Sequence, residues 1–142
     1  MKIKEIMTPL PFTVRPSMSV LEARAELAQR RIRHLIVVDE GGRLVGIVTD
    51  RDIRLNVPSP ATSLSVWEIN SLLGRLTVGE VMSQTVLTVD PERDVRMAAR
   101  IMIDHKIGAL PVMDGVRLLG IVTETDLLRA LATSPAELTA AG

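Results

Sequence analysis

Apolar positions along this chain change period in a set order. Thr13-Val14 is a short extended piece stopped by Pro16. From Ser19 the apolar residues Val20, Ala23 and Leu27 fall at helical spacing, and Ser19 with Glu22 has the pattern of a capping box. His34 to Asp39 is β-branched and apolar, Glu40-Gly41-Gly42 marks a turn, and Arg43 to Val48 returns, which predicts a hairpin. Thr49 and Asp52 then stand at the start of another helical stretch. The predicted order is strand, helix, strand, strand, helix.

That order occurs twice. At a shift of 75 the segment Ile6 to Asp39 finds ten identities over 34 positions: Met7, Thr13, Val14, Pro16, Val20, Ala23, Ile32, Leu35, Val37 and Asp39 recur from Met82 to Asp114. After one residue is lost in the turn, Arg43-Leu44-Val45-Gly46-Ile47-Val48-Thr49 meets Arg117-Leu118-Leu119-Gly120-Ile121-Val122-Thr123, with a single difference. Two copies are too few for a solenoid, so the expected fold is a mixed α/β (α+β) one in which two pseudo-twofold-related β-α-β-β-α repeats form one compact module. The first repeat is read as 6–57, a linker as 58–80, the second repeat as 81–131 and a flexible tail as 132–142. Within the linker Pro58 to Ser63 is predicted as a loop. Ser65 with Glu68 is a second capping box, and Val66, Ile69, Leu72 and Leu73 mark an amphipathic helix that must bury its stripe on its own module or on a second subunit.

Composition narrows the function classes. The 142 residues carry 17 basic and 17 acidic side chains, so no long-range field holds a polyanion. Nucleic-acid binding through Lys2, Lys4, Arg30, Arg31 and Arg33 is further disfavoured by the presence of only two aromatic residues, Phe12 and Trp67. Without cysteine, disulfides and thiolate metal sites are excluded. The apolar runs are strand-sized, far short of the ~20 residues of a membrane span, and no secretory or targeting pattern opens the chain. A cytoplasmic protein with no membrane association is expected. His34 and His105 make no metal shell, Asp50-x-Asp52 lacks the glycine and distal glutamate of a calcium loop, and no phosphate-cradling Gly-x-x-x-x-Gly-Lys occurs. The chain reads as a non-enzyme that requires no cofactor.

Several positions have both a structural and a binding explanation. In Thr49-x-x-Asp52 and Thr123-x-x-Asp126 the Thr can cap a helix and the Asp can meet orphan amides. The same carboxylate can accept hydrogen bonds from both ribose hydroxyls, and Asp52 has two oxygens for different donors. Duplication directly after Gly-Ile-Val favours binding. Gly46 and Gly120 interrupt strands, as close approach of a backbone or a ligand requires. Thr13 and Thr88 are accounted for by strand propensity. Arg30-Arg31-Ile32-Arg33-His34 is the basic end of a helix, and Arg51 can pair with Asp50 or reach a phosphate. Methionines, Met97 and Met102 among them, read as core filling, and Trp67 as a packing anchor or a subunit contact.

Together, Ile6-Met7-Thr8 and Val81-Met82-Ser83 opening the copies, a strand ending in Asp39 or Asp114, and Gly-Ile-Val-Thr-x-x-Asp closing them resemble the tandem CBS (cystathionine-β-synthase) domain pair, or Bateman module. The linker looks like that of stand-alone CBS proteins related to the acetoin-utilisation protein AcuB, without their ACT domain. This resemblance implies a regulatory module that binds an adenosine-containing ligand (AMP, ADP or ATP, with NAD or S-adenosylmethionine as further options) in clefts between the copies. It also implies a homodimer and a regulated protein partner. The competing reading is a dimerisation or protein-interaction scaffold without ligand. Carried onto this sequence, the implied ligand residues are Thr13, Arg33, His34, Thr49, Arg51 and Asp52 from the first copy. Those from the second are Thr88, Gly108, Ala109, Thr123 and Asp126. Because Arg33-His34 and Arg51 are replaced by Gly108-Ala109 and Thr125, the two clefts are expected to be unequal, with phosphate preferring the Asp52 side.

Overall fold

The computed structural model describes residues 1–57 and 64–133; the predicted loop Pro58 to Ser63 and the tail from residue 134 lie outside the described residues. In chain order the first elements are α1 (Ile3–Ile6), β1 (Thr8–Pro9), β2 (Thr13–Val14), α2 (Val20–Arg30), β3 (His34–Val38), β4 (Leu44–Thr49) and α3 (Asp50–Leu55). They are followed by α4 (Val66–Arg75), α5 (Val78–Val81), α6 (Val95–His105), β5 (Ala109–Asp114), β6 (Arg117–Thr123) and α7 (Glu124–Ala132). The fold is mixed α/β, and the strand-helix-strand-strand-helix order of the first repeat is the one its periodicity predicts. In the second repeat the opening strand shrinks to a single bridge between Val89 and Val112.

Two units divide the chain, and each borrows a segment. One is Phe12–Val86; the other joins Met1–Pro11 to the chain from Leu87 onward. Thus α1 and β1, at the start of the first copy, belong to the unit of the second, while α5 completes the unit of the first.

In the first-repeat unit the sheet order is β2-β3-β4, with β2 parallel to β3 and β3 antiparallel to β4. The central strand is buried from Leu35 to Val38, which explains its unbroken apolar run, whereas β4 alternates. Val20, Ala23 and Leu27 of α2 pack with Leu35, Val37, Val48, Ile53 and, from α4, Leu73. The linker helix therefore buries Leu73 and packs Ile69 on its own unit, while Val66 of its predicted stripe is exposed.

The second-repeat unit has the order β1-β6-β5, with Thr8 opposite Ile121. Its core gathers Ala98 and Met102 of α6 with Leu110, Val112, Val122, Val89 and the N-terminal Ile3. Helices α2 and α6 both end on a left-handed residue at the same repeat position, Arg31 (φ 56°) and Lys106 (φ 55°). Two expectations change here: Met97 is exposed rather than core, and Trp67, 78% exposed, anchors no packing.

Gly46 and Gly120 make room for backbone. A Cβ on Gly120 would lie 2.5 Å from the Thr8 carbonyl oxygen of β1. At Gly46 it would lie 2.4 Å from Met82 Sδ and 3.0 Å from the Ser83 carbonyl oxygen. Ser83 in turn exchanges both backbone hydrogen bonds with Ile47 at 2.9 and 3.0 Å. These glycines are the seats of the Met7-Thr8 and Met82-Ser83 segments.

Ion pairs fasten the N-terminal segment. Lys2 and Lys4 both bond the Glu92 carboxylate, at 2.8 and 2.7 Å, beside the backbone bond from Ile3 N–H to the Arg93 carbonyl. Hydrogen bonds from the two lysines lower the Glu92 pKa from 4.5 to about 2. Asp94, bonded chiefly by Arg96, is likewise lowered to about 2.

Gly120→Ala is expected to lose about 1–3 kcal/mol of stability in urea unfolding. Gly46→Ala should lose less, because its nearest obstacle is a movable thioether rather than a strand carbonyl. A depressed carboxylate pKa makes Glu92 stabilising above its ordinary value of 4.5, and that contribution disappears as pH falls toward 2. Acid titration of the melting temperature should accordingly show a shallower decline for Glu92→Gln than for the parent.

Candidate functional site

The candidate residues converge at the two junctions where the last strand of each repeat becomes a helix. At the first, Thr49 ends β4 and caps α3: its Oγ1 accepts from the Asp52 amide at 3.1 Å, and Asp52 Oδ2 accepts from the Thr49 amide at 2.9 Å. The second repeats this box, with Asp126 N–H donating to Thr123 Oγ1 at 3.3 Å and Thr123 N–H donating to Asp126 Oδ2 at 2.9 Å. Two further bonds are shared between the repeats. The Asp50 amide donates to the Arg33 carbonyl at 3.1 Å, and the Glu124 amide to the Gly108 carbonyl at 3.0 Å. The residue before the hairpin is thereby tied to the first residue of the helix, which is why positions 17 apart in the first repeat and 16 apart in the second meet.

Each remaining candidate has a definite place. His34 begins β3 opposite Thr49, and Ala109 begins β5 opposite Thr123. Thr13 lies on β2, paired with Ile36 of the adjacent strand. Thr88 is exposed and precedes the bridging Val89. Arg33 and Arg51 are exposed, and neither guanidinium has an ion-pair partner among the described residues; Asp50 pairs instead with Arg54 at 3.9 Å.

The junctions differ at the carboxylate. Asp52 is half-buried, and its Oδ1 accepts no hydrogen bond among the described residues, so one oxygen faces no internal donor. Asp126 is buried to 6% exposure: Oδ2 also accepts from the Thr123 hydroxyl at 3.1 Å, and Oδ1 faces Arg129 Nη1 at 3.4 Å. Arg129 is a residue the sequence reading passed over. Its signal was the i, i+3 spacing from Asp126 on one helix face; the matching position of the first repeat is Leu55.

No cluster of three or more His, Asp or Glu suited to a metal occurs among the described residues. No helix among them is long and apolar enough to cross a membrane.

A family model of the CBS domain matches residues 3–59 and again 78–133, the two copies that carry these junctions. The chain belongs to the CBS domain family. Among solved structures, this CBS chain is similar to a Vibrio cholerae protein described as a candidate acetoin utilization protein (AcuB). That similarity has 31% identity and a TM-score of 0.78, covering 100% of this chain and 97% of that one. It is similar as well to the CBS domain pair of protein MJ0100, solved with 5′-methylthioadenosine and S-adenosyl-L-methionine (31%, TM-score 0.77, 93% and 96% covered). A third likeness is to CBSX2, solved with AMP (29%, TM-score 0.74, 92% and 96% covered).

Curated relatives differ in length. The chain spans 90% of a CBS domain-containing protein of Dictyostelium discoideum, at 35% identity over 91% of its own residues. It spans only 32% of an uncharacterized protein of Methanocaldococcus jannaschii, at 33% identity over 92% of its own residues.

Replacing Thr123 by Ala removes an N-cap from α7 and should lose about 1 kcal/mol in chemical denaturation. Thr49→Ala should lose a similar amount from α3.

Proposed function

We propose that this CBS pair is a cytoplasmic regulatory module that binds an adenosine-containing ligand, foremost AMP, ADP or ATP, at its strand-to-helix junctions and relays occupancy to a partner protein without chemistry. The observation that carries this reading is the duplicated Thr-Asp box with an open carboxylate oxygen at Asp52. An ionised carboxylate accepts from two vicinal hydroxyls at once, and its other oxygen, already bonded to the Thr49 amide, keeps it oriented. Support from relatives is chemical: 5′-methylthioadenosine, S-adenosyl-L-methionine and AMP share the adenosine group and differ in charge beyond it.

The first junction is the one suited to a phosphate. Arg33 and Arg51 are exposed there and have no ion-pair partner among the described residues, whereas the second has Gly108 and Thr125 at those positions. There Arg129 already holds the second oxygen of Asp126, so a ribose must displace it. We assign AMP or ATP to the Asp52 junction, and a less charged adenosine ligand such as S-adenosylmethionine or NAD to the Asp126 junction. Thr13 and Thr88 are assigned to the adenine side. Association of two copies belongs to the same reading and is supported by the exposed apolar residues Met97 and Ile103 of α6 and Leu128 and Leu131 of α7.

Calorimetric titration of AMP tests the assignment. Asp52→Ala should weaken the tight site about ten- to a hundredfold, as expected for loss of hydrogen bonds to a charged group, and Arg33→Ala should weaken it as well. Asp126→Ala should retain it. Melting curves of each variant account for the lost cap, and unchanged AMP affinity in Asp52→Ala would sink the reading.

A further inference from the structure

We propose that Arg129 is a latch on the second junction: its guanidinium takes the Asp126 oxygen that a nucleoside diol needs, so binding there must release the arginine. The inference rests on the ribose role proposed for Asp126 and adds the regulation of that site. Asp126 is the one buried polar or charged residue among the described residues, at 6% exposure. Its Oδ2 is engaged by the Thr123 amide at 2.9 Å and the Thr123 hydroxyl at 3.1 Å, bonds internal to the helix cap. Oδ1 is left for a donor from outside the cap, and Arg129 Nη1 stands 3.4 Å from it.

The two partners are held very differently. Burial and the cap fix the carboxylate, whereas the Arg129 side chain is 68% exposed and makes one long contact with it. A charge-assisted pair at full strength is shorter, about 2.7–2.9 Å, and with arginine is often bidentate. A released guanidinium is rehydrated at once, so this pair is worth little more than a surface ion pair. The helix field also favours release. Arg129 lies in the last turn of α7, and reaching back to Asp126 draws its cation toward the first turn, the positive end of the dipole. The buried carboxylate, by contrast, requires a donor on Oδ1. Arginine or diol satisfies it, and the exchange leaves no buried acceptor bare.

The first junction has the same box without the latch. Its cap bonds are 2.9 and 3.1 Å against 2.9 and 3.3 Å in the second, so the two carboxylates are oriented alike. At the position matching Arg129 stands Leu55, 73% exposed and with no side-chain donor. A neutral nucleoside has no phosphate for Arg33 or Arg51 to meet, and it therefore separates the junctions by the latch. Filling the second junction returns a cation to the surface of α7, whose Leu128 and Leu131 are also exposed. The charge that this helix displays thus reports whether the site is occupied.

Adenosine is the probe, titrated calorimetrically. In an Asp52→Ala background, which leaves the second junction, Arg129→Leu should tighten binding about three- to fivefold, the size of a partly exposed ion pair. Arg129→Lys keeps the cation and should bind as the parent does, because a single contact does not require the guanidinium fork. With the latch transplanted, Leu55→Arg in an Asp126→Ala background should weaken adenosine binding by a similar factor. Nitrogen NMR of the arginine side chains supplies a readout that helix stability does not move. The Arg129 Nε–H signal, identified by its loss in Arg129→Leu, should shift when adenosine is added to Asp52→Ala and stay in place once Asp126→Ala is combined with it. Adenosine bound at the second junction with that signal unmoved would overturn the proposal, as would equal affinity for Arg129→Leu and its parent. If Asp126→Ala leaves adenosine binding unchanged in the Asp52→Ala background, the ribose role itself fails and the latch falls with it.

Discussion

A strand backbone lying closer to a glycine than any side chain permits decides how this chain is divided. At Gly120 the Thr8 carbonyl stands where a Cβ would be, and at Gly46 the Met82 thioether and the Ser83 carbonyl do. Those contacts seat each opening segment on the sheet of the other repeat's hairpin, so one unit joins Met1–Pro11 to the chain from Leu87 while the other runs unbroken from Phe12 to Val86 and takes in Met82-Ser83. Ile3 reaches the core of the second-repeat unit because β1 pairs with β6, and Val78 reaches that of the first because Ser83 pairs with Ile47. The lysine-glutamate contacts around Glu92 and the backbone bonds of Ile3 and Lys4 follow from the same placement. Being exposed, those ion pairs add little energy by themselves.

Stability and candidate binding draw on the same atoms at the junctions. A Thr-Asp box satisfies the amides that a helix start leaves unpaired, and it fixes the carboxylate in one orientation. In the first repeat that leaves Oδ1 without a hydrogen bond among the described residues; in the second a single arginine, one turn along α7, takes it. Two nearly identical motifs thus differ in what they offer a ligand through a residue outside the motif.

The helical stripes show what periodicity does and does not say. Val20, Ala23 and Leu27 on α2, and Ala98 and Met102 on α6, are fully used inside their own units. Other apolar residues on the helices are left exposed, among them Met97, Ile103, Leu128, Leu131, Val66 and Trp67. A helix with apolar residues on more than one face needs more than one neighbour, and a three-stranded sheet covers only one of them.

From the sequence alone came the duplicated element order, the helix starts at Ser19, Ser65, Thr49 and Thr123, the hairpins, and the family itself. All of these rest on local chemistry: a cap needs an acceptor three residues from an amide, and a strand needs alternation or continuous burial. Only the tertiary structure decided which hairpin receives Met7-Thr8, why Gly46 and Gly120 lack side chains, that Trp67 is exposed, and that Arg129 occupies Asp126 while Asp52 keeps an oxygen open. Those are distances between groups set by how the chain returns on itself, and hydrophobic pattern encodes which face is buried but not what it meets.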